Sequence, residues 1–182
     1  RKVLEQMPSP VGHTIAGLTV HALTARGEAE LLSARRLGLL VFAALAPDLD
    51  LLLRLVDGRN HHQHESHSIG MALLAGLVAA AWFRWRRLPR AGALALSVAL
   101  AWLSHVGLDY LNRDTNPPIG LMALWPLTDD FYKCAWPIFL DVGRTLSWQT
   151  LRNNALAAAW EALVLLPVFS VVWRRRLRGL GP

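Results

Sequence analysis

The sequence has few charged residues, little tyrosine and almost no cysteine. Only 18% of its 182 residues are charged, whereas a soluble domain usually carries about 25%. This composition excludes a disordered or acidic low-complexity chain. The single cysteine, Cys134, excludes an internal disulfide framework and a cysteine-rich zinc module. The first residues, RKVLEQMPSP, lack an apolar core followed by a cleavage site, so we expect no cleavable signal peptide.

Apolar residues make up 53% of the chain and are concentrated in five runs. A helix needs about 20 mostly apolar residues to cross a bilayer. The runs cover residues 11–25, 37–56, 68–83, 91–108 and 153–173. We therefore predict a single all-α domain over residues 1–182, a polytopic membrane bundle of about five embedded helices. A soluble bundle is disfavoured, because a small domain cannot bury every face of five apolar helices.

The net charge of +6 could indicate a nucleic acid or an anionic lipid as a partner. If the five runs are spans, eleven arginines and two glutamates fall on one side of the membrane, and eight cations and ten acids on the other. The positive-inside rule then places the arginine-rich side, with the C-terminus, in the cytoplasm of a bacterial inner membrane. The basic excess is thus a topology signal, and it requires no nucleic acid.

Residues 113–152 form the longest stretch between two runs. They contain two Trp-Pro pairs and several further aromatic residues, a composition that suits the membrane interface. We predict an outer interfacial cap that is partly helical after Pro137. A solvated loop is the alternative.

Ionisable side chains in membrane segments are costly, so each needs a partner or a function. On the predicted topology, histidines and aspartates from five separate stretches lie at the extracytoplasmic face. They are His13, Asp48, Asp50, His62, His67, His105 and Asp109. Imidazole and carboxylate together suit Zn, Mn or Fe. We predict that these seven residues bind one or two divalent metal ions, with zinc as the first choice.

Local spacing supports two parts of this ligand set. His105 and Asp109 are four residues apart and would share one face of a helix. Pro47 disfavours a helical conformation at the preceding residue and is expected to kink the backbone. Such a kink would let both Asp48 and Asp50 reach one centre, although they would diverge on a regular helix.

Four other ionisable residues fit the metal prediction less well. His21 lies about two turns inward from His13 and is predicted to be a hydrogen-bonded core histidine. Glu161 either has a function or pairs with a neighbour. His61 and His64 are predicted to be auxiliary or solvated.

The motifs GHTIAG, PDLD, HQHESHS, LSHVGLDYLN and LWP span residues 12–126. In combination they resemble bacterial inner-membrane proteins described as LexA-regulated, membrane-bound metal-dependent hydrolases. The two histidines of that family's H-R-G-x-T-H-S motif fall on His62 and His67, while Gln63 and His64 replace its Arg and Gly. A looser similarity of metal-site arrangement links the chain to zinc-dependent phospholipase C, an all-helical enzyme with an H-x-x-x-D pair, and this is analogy only.

The leading prediction is hydrolysis of a phosphoester in a lipid-like substrate, with the lipid bilayer as the other partner. Seven ligands would suit two metals about 3.5–4 Å apart, which activate a water. Glu65 or Asp50 would move the proton. Two alternatives stay open. One is a metal-ion or proton transporter that uses His21 and Glu161 to continue the path inward. The other is a scaffold without catalytic activity that holds a structural metal.

Overall fold

A computed structural model describes residues 9–115, 118–143, 145 and 147–179. These residues form seven α-helices and two 3₁₀ helices, η1 and η2. In chain order the elements are α1 (Pro10–Thr24), α2 (Glu28–Leu31), α3 (Ala34–Leu45), η1 (Ala46–Leu52), α4 (Arg54–Asp57), η2 (Glu65–His67), α5 (Ile69–Trp85), α6 (Ala91–Tyr110) and α7 (Trp148–Arg178). The all-α prediction is confirmed for this part of the chain. Residues 1–8, which carry most of the signal-peptide prediction, and Arg144 of the charge count lie outside the described residues.

The bundle is built around α1, which packs against α3, α6 and α7, while α5 packs against α6. Small residues allow this close approach, as is common between membrane helices. A Cβ on Gly17 would lie 3.0 Å from the Cβ of Ala44, and one on Gly76 would lie 2.8 Å from the Cβ of Ala99. The buried core between α3, α5 and α6 consists of Leu40, Ala43, Ala44, Phe83, Ala95, Val98 and Ala101.

Two of the described helices, α6 and α7, are long and apolar enough to cross a membrane, and the prediction of five such spans is not met. The other apolar helices are shorter, with 15 residues in α1, 12 in α3 and 17 in α5. Helix α3 is short because Pro47 follows its end, and the backbone continues as η1. The predicted interruption at this proline is therefore confirmed.

The cap differs from the sequence prediction after Pro137. Among the described residues between this proline and Ser147 there is no helix, and α7 begins at Trp148. The backbone N–H groups of Ile138 and Phe139 instead donate to the carbonyl of Leu111 at the end of α6. Because these donors are used by another element, the segment runs extended across the bundle end.

A buried arginine joins three helices at the opposite end of the bundle. Its guanidinium donates to the Nδ1 and carbonyl oxygen of His21, to the hydroxyl of Thr24 and to that of Ser97. This residue is Arg36, on α3. The Nε2 of His21 lies 2.9 Å from the carbonyl oxygen of Leu31. The prediction of His21 as a hydrogen-bonded core histidine is therefore confirmed.

Candidate metal centre

Helices α1 and α6 bring three of the predicted ligands together at the bundle end that bears the cap. His13 and His105 stack with ring centroids 3.8 Å apart. One oxygen of Asp109 lies 3.3 Å from His13 Nε2, and the other lies 3.1 Å from His105 Nε2. All three side chains are buried. As predicted, the four-residue spacing puts His105 and Asp109 on one face of α6.

A second group comes from η1 and the turn that leads into α5. Asp48, His62 and His67 each offer one ligand atom, and these atoms lie within 4.8 Å of one another. His67 joins this group to the first, because its Nε2 lies 3.1 Å from both Asp109 Oδ2 and His105 Nε2. Asp48 Oδ1 is 3.6 Å from His105 Nε2. The six side chains therefore form one continuous cluster.

Several buried nitrogen and oxygen atoms of this cluster have no hydrogen-bond partner among the described residues. They are both ring nitrogens of His13, Asp48 Oδ1, His62 Nε2 and both carboxylate oxygens of Asp109. Buried polar atoms without partners are costly and rare in folded proteins. Converging imidazole nitrogens and carboxylate oxygens are the donor set that Zn, Mn and Fe prefer. The residues present thus fit a divalent metal ion.

The remaining nitrogens of three histidines are fixed from outside the cluster. His105 Nδ1 lies 2.8 Å from the carbonyl oxygen of Ala44 and donates to it, which leaves its Nε2 free to coordinate. Asp50 Oδ1 accepts from the Nδ1 of His62 at 3.2 Å, and Asp50 Oδ2 accepts from the hydroxyl of Ser66 at 2.6 Å. The Nδ1 of His67 lies 3.2 Å from Asp50 Oδ2 and 2.9 Å from Ser66 Oγ. Such carboxylate–histidine contacts orient metal-binding imidazoles.

Of the two predicted catalytic acids, Asp50 contacts the Nδ1 atoms of His62 and His67, on the side of these rings that faces away from the cluster, and Glu65 lies outside the cluster. Both oxygens of Asp50 are engaged, and the residue belongs to neither candidate group of ligand atoms. Glu65 is exposed on η2, where its backbone carbonyl accepts from the hydroxyl of Ser68. The structure therefore brings six of the seven predicted ligands together directly and gives Asp50 a supporting position.

Opposite electrostatic effects act on Asp50 and His67, which both lie outside α6 and α7. Burial raises the pKa of Asp50, but hydrogen bonds from His62 and His67 outweigh burial and lower this pKa. Burial lowers the pKa of His67, but the carboxylates of Asp109, Asp48 and Asp50 outweigh burial and raise this pKa. The carboxylates therefore favour positive charge at the centre of the cluster, which either a proton or a metal cation can supply.

Sequence reasoning did not place Glu161, which caps the helix that carries His13. Helix α1 has no acidic residue in its first turn and no side-chain cap of its own. The carboxylate of Glu161, on α7, accepts from the backbone N–H of Ser9 at 2.8 Å, from that of Gly12 at 2.9 Å and from the Ser9 hydroxyl. A carboxylate at a helix N-terminus is stabilising. The missing first-turn acid was the available sequence signal.

The LWP motif holds the start of α5 and hence the position of His67. The backbone N–H groups of Ile69 and Gly70 donate to the carbonyl oxygens of Ala123 and Trp125, at 2.9 and 3.1 Å. The Ser68 hydroxyl caps the same helix by accepting from the backbone N–H of Met71. The segment that contains the LWP motif therefore supports the histidine–aspartate cluster structurally.

We expect Gly70→Ala to destabilise the protein. A Cβ at this position would overlap the carbonyl oxygen of Trp125 and lie 2.6 Å from the Cδ of Pro126. Overpacking of this kind costs about 1–3 kcal/mol. Thermal unfolding of the purified protein in detergent should show a lower Tm. Gly92→Ala is the matched control, since Gly92 is also the second residue of a helix and faces open space. Equal Tm values for the two variants would contradict the contact.

A sequence model of the YdjM inner membrane protein family matches residues 7–178. No curated protein and no solved structure shows significant similarity to the chain. The match confirms the membrane-family part of the resemblance, whereas hydrolase activity and the analogy to phospholipase C stay predictions. Since the match covers nearly the whole sequence, the chain belongs to the YdjM inner membrane protein family.

Proposed function

We propose that this protein is a membrane-embedded, metal-dependent hydrolase that acts on a phosphoester of a lipid-like substrate. The observation that carries the proposal is the buried cluster of histidines and aspartates, several of whose ligand atoms converge without hydrogen-bond partners. Four of its six side chains are fully or almost fully buried histidines: His13, His62, His67 and His105. An imidazole cluster of this density has no packing role that apolar side chains would not perform better.

The proposed membrane arrangement places α1, α3 and α5 in the bilayer beside the two longer helices. Exposed apolar side chains on α5, such as Leu77 and Val78, support this arrangement because they suit contact with lipid. The arginine-rich ends then face the cytoplasm, and the metal centre faces the opposite side. The chain would cross the membrane several times, with its shorter helices compensated by local thinning or by the capping segments.

The position of the cluster favours a substrate from the membrane. Asp48 is its most accessible ligand, with 16% of its side chain exposed. The residues that follow it in η1 and α4 present an exposed apolar surface. This surface consists of Leu49, Leu52, Leu53, Leu55 and Val56. An exposed apolar segment of this kind inserts into the interfacial region of a bilayer. A lipid headgroup at that level would meet the cluster from the side of Asp48.

The six clustered residues would bind one or two ions. When bound, a divalent ion lowers the pKa of a water molecule toward about 7 and polarises a phosphoryl oxygen. The protein contributes the orientation of the imidazole ligands and the negative charge of the carboxylates. His105 is held by the Ala44 carbonyl, and Asp50 holds His62 and His67 in one orientation. Because both Asp50 oxygens are engaged, the partly exposed carboxylate of Asp48 is better placed to accept a proton from water at the solvent edge.

The test is turnover of a panel of lipid phosphoesters by the purified protein. Phosphatidic acid, other phospholipids and polyprenyl phosphates are assayed after treatment with EDTA and again after addition of Zn or Mn. We expect release of phosphate or of a phosphorylated headgroup that disappears with EDTA and returns with the metal. Metal binding without turnover of any member of the panel would count against the hydrolase and favour a structural metal.

We expect Asp50→Asn to weaken metal binding by about 10–100-fold, the usual effect of losing a supporting contact to a ligand. Asparagine can accept from only one of the two histidines, so the other imidazole loses its fixed orientation. Competition with a fluorescent zinc chelator measures the change. Asp57→Asn is the control, because Asp57 also contacts a histidine, His61, but lies exposed outside the cluster. Unchanged affinity in Asp50→Asn would contradict the supporting role.

The contacts of His21 and Glu161 favour hydrolysis over transport. A transport path would need His21 and Glu161 to continue inward from the metal centre. His21 is hydrogen-bonded to Leu31 and Arg36, and the carboxylate of Glu161 caps α1. Both side chains therefore already have structural partners. Uptake of Zn or Mn into liposomes that depends on both residues would favour transport instead.

A further inference from the structure

A basic cavity lies at the end of the bundle opposite the metal centre, between α3 and the start of α6. Its volume is about 510 Å³. Its lining includes the charged residues Arg35, Arg36, Arg90 and Glu30 and the apolar residues Leu39, Phe83 and Leu94. Three cations and one anion therefore line the cavity together with apolar side chains, and the exposed Arg35 and Arg90 mark its mouth.

The three arginines differ in their burial and in their ion pairs. Arg36 is buried and committed to contacts with α1 and α6. Arg90 lies 2.9 Å from Glu30, but its side chain is more than half exposed. Arg35 is exposed and makes no ion pair with a residue that the structure describes. Because Glu30 is already shared by Arg90 and Arg36, net positive charge remains at the cavity mouth.

An apolar groove continues from this cavity along the side of the bundle. It has a volume of about 490 Å³ and shares Leu39 and Phe83 with the basic cavity. Along α3, the start of η1 and α5, its wall includes Phe42, Ala46, Met71, Leu74, Val78 and Trp82. Met71 and Phe83 are twelve residues apart on α5, so the groove extends over about 18 Å. An open apolar groove of this length on a membrane helix bundle matches an extended acyl chain.

We propose that the cavity and the groove together form a binding site for an anionic phospholipid. Its phosphate lies between Arg35 and Arg90, and one acyl chain lies along Leu39, Phe83 and Val78. Charge complementarity selects the headgroup, because arginine binds phosphate oxygens well and basic pockets between membrane helices bind anionic lipids. Continuity of the two cavities selects a lipid over a soluble anion. The phosphate end of the site lies at the end of the bundle opposite the metal centre, so lipid binding can be tested separately from the proposed hydrolase.

Native mass spectrometry of the full chain in detergent tests the site with dioleoylphosphatidylglycerol, dioleoylphosphatidylcholine and inorganic phosphate. We expect preferential binding of phosphatidylglycerol. Arg35→Gln should weaken its binding about fivefold, the effect of one cation near an anionic headgroup. Val78→Trp, which fills the groove from its lipid side, should also weaken binding. Both positions are exposed, so neither change removes a core contact.

Matched controls separate the site from general surface effects. Arg178→Gln removes an exposed arginine on α7, outside the basic cavity, and Val171→Trp adds the same bulk to an exposed position on that helix. Both should bind phosphatidylglycerol like the unmodified protein. Equal losses in Arg178→Gln and Arg35→Gln would overturn the site in favour of diffuse attraction. Equal binding of the two lipids, binding of inorganic phosphate alone, or no effect of Val78→Trp would also overturn it.

Discussion

Replacing His105 and Asp109 together with alanine is expected to abolish the proposed metal binding. Asp109 contacts His13, His67 and His105, so the double change deletes two ligands and the contact that joins the two groups. Loss of even one supporting contact weakens metal binding about 10–100-fold, and we expect a larger loss here. Mass spectrometry of purified protein should show metal per chain falling at least about tenfold.

A second histidine–aspartate pair provides a matched control. Asp57 and His61 are also four residues apart, lie 2.7 Å from each other and are partly exposed outside the cluster. The variant Asp57→Ala with His61→Ala should keep its full metal content. Circular dichroism should show equal helix content in both double variants. Metal content that stays the same after loss of His105 and Asp109 would remove the ligand assignment.

Replacing Glu161 with alanine is expected to cause the largest loss of stability. The change leaves the N–H groups of Ser9 and Gly12 and the Ser9 hydroxyl without their acceptor in a buried place. Hydrogen bonds to a charged group and the cost of unpaired buried donors together predict a decrease of about 3 kcal/mol in the free energy of unfolding. Since α1 carries His13, metal binding should weaken as well.

Chemical unfolding of the purified protein in mixed micelles measures this change. Glu28→Ala is the control, because Glu28 is exposed on α2 and its loss should change the free energy by less than about 0.5 kcal/mol. Equal stability of the two variants would show that Glu161 does not act as the cap of α1. Glu161→Gln should be intermediate, since the amide retains one acceptor oxygen but loses the charge.

Features that depend on neighbouring residues were predictable from the sequence. The pairing of His105 with Asp109 follows from helical spacing, and the end of α3 follows from the proline at position 47. The cap of α5 by Ser68 is equally local. In each case the backbone within one or two turns decides the outcome.

Features that depend on distant parts of the chain were not predictable. Glu161 caps a helix about 150 positions earlier in the sequence, and no local pattern specifies that pairing. The contacts of Asp50 with His62 and His67 require the turn between these histidines, in which Gln63 adopts a left-handed backbone conformation with φ of 66°. Helix length was overestimated because apolar composition continues where helical hydrogen bonding stops, as at the start of η1.

The order in which the ligands occur along the chain has a consequence for biogenesis. The cluster includes His13 from α1 and Asp109 from the end of α6. It therefore cannot assemble until the ribosome has synthesised α6. On the proposed membrane arrangement, His13 enters the bilayer before its carboxylate partner Asp109 has been synthesised. Nascent chains truncated before α6 should accordingly be unstable in the cell and be removed by membrane proteases.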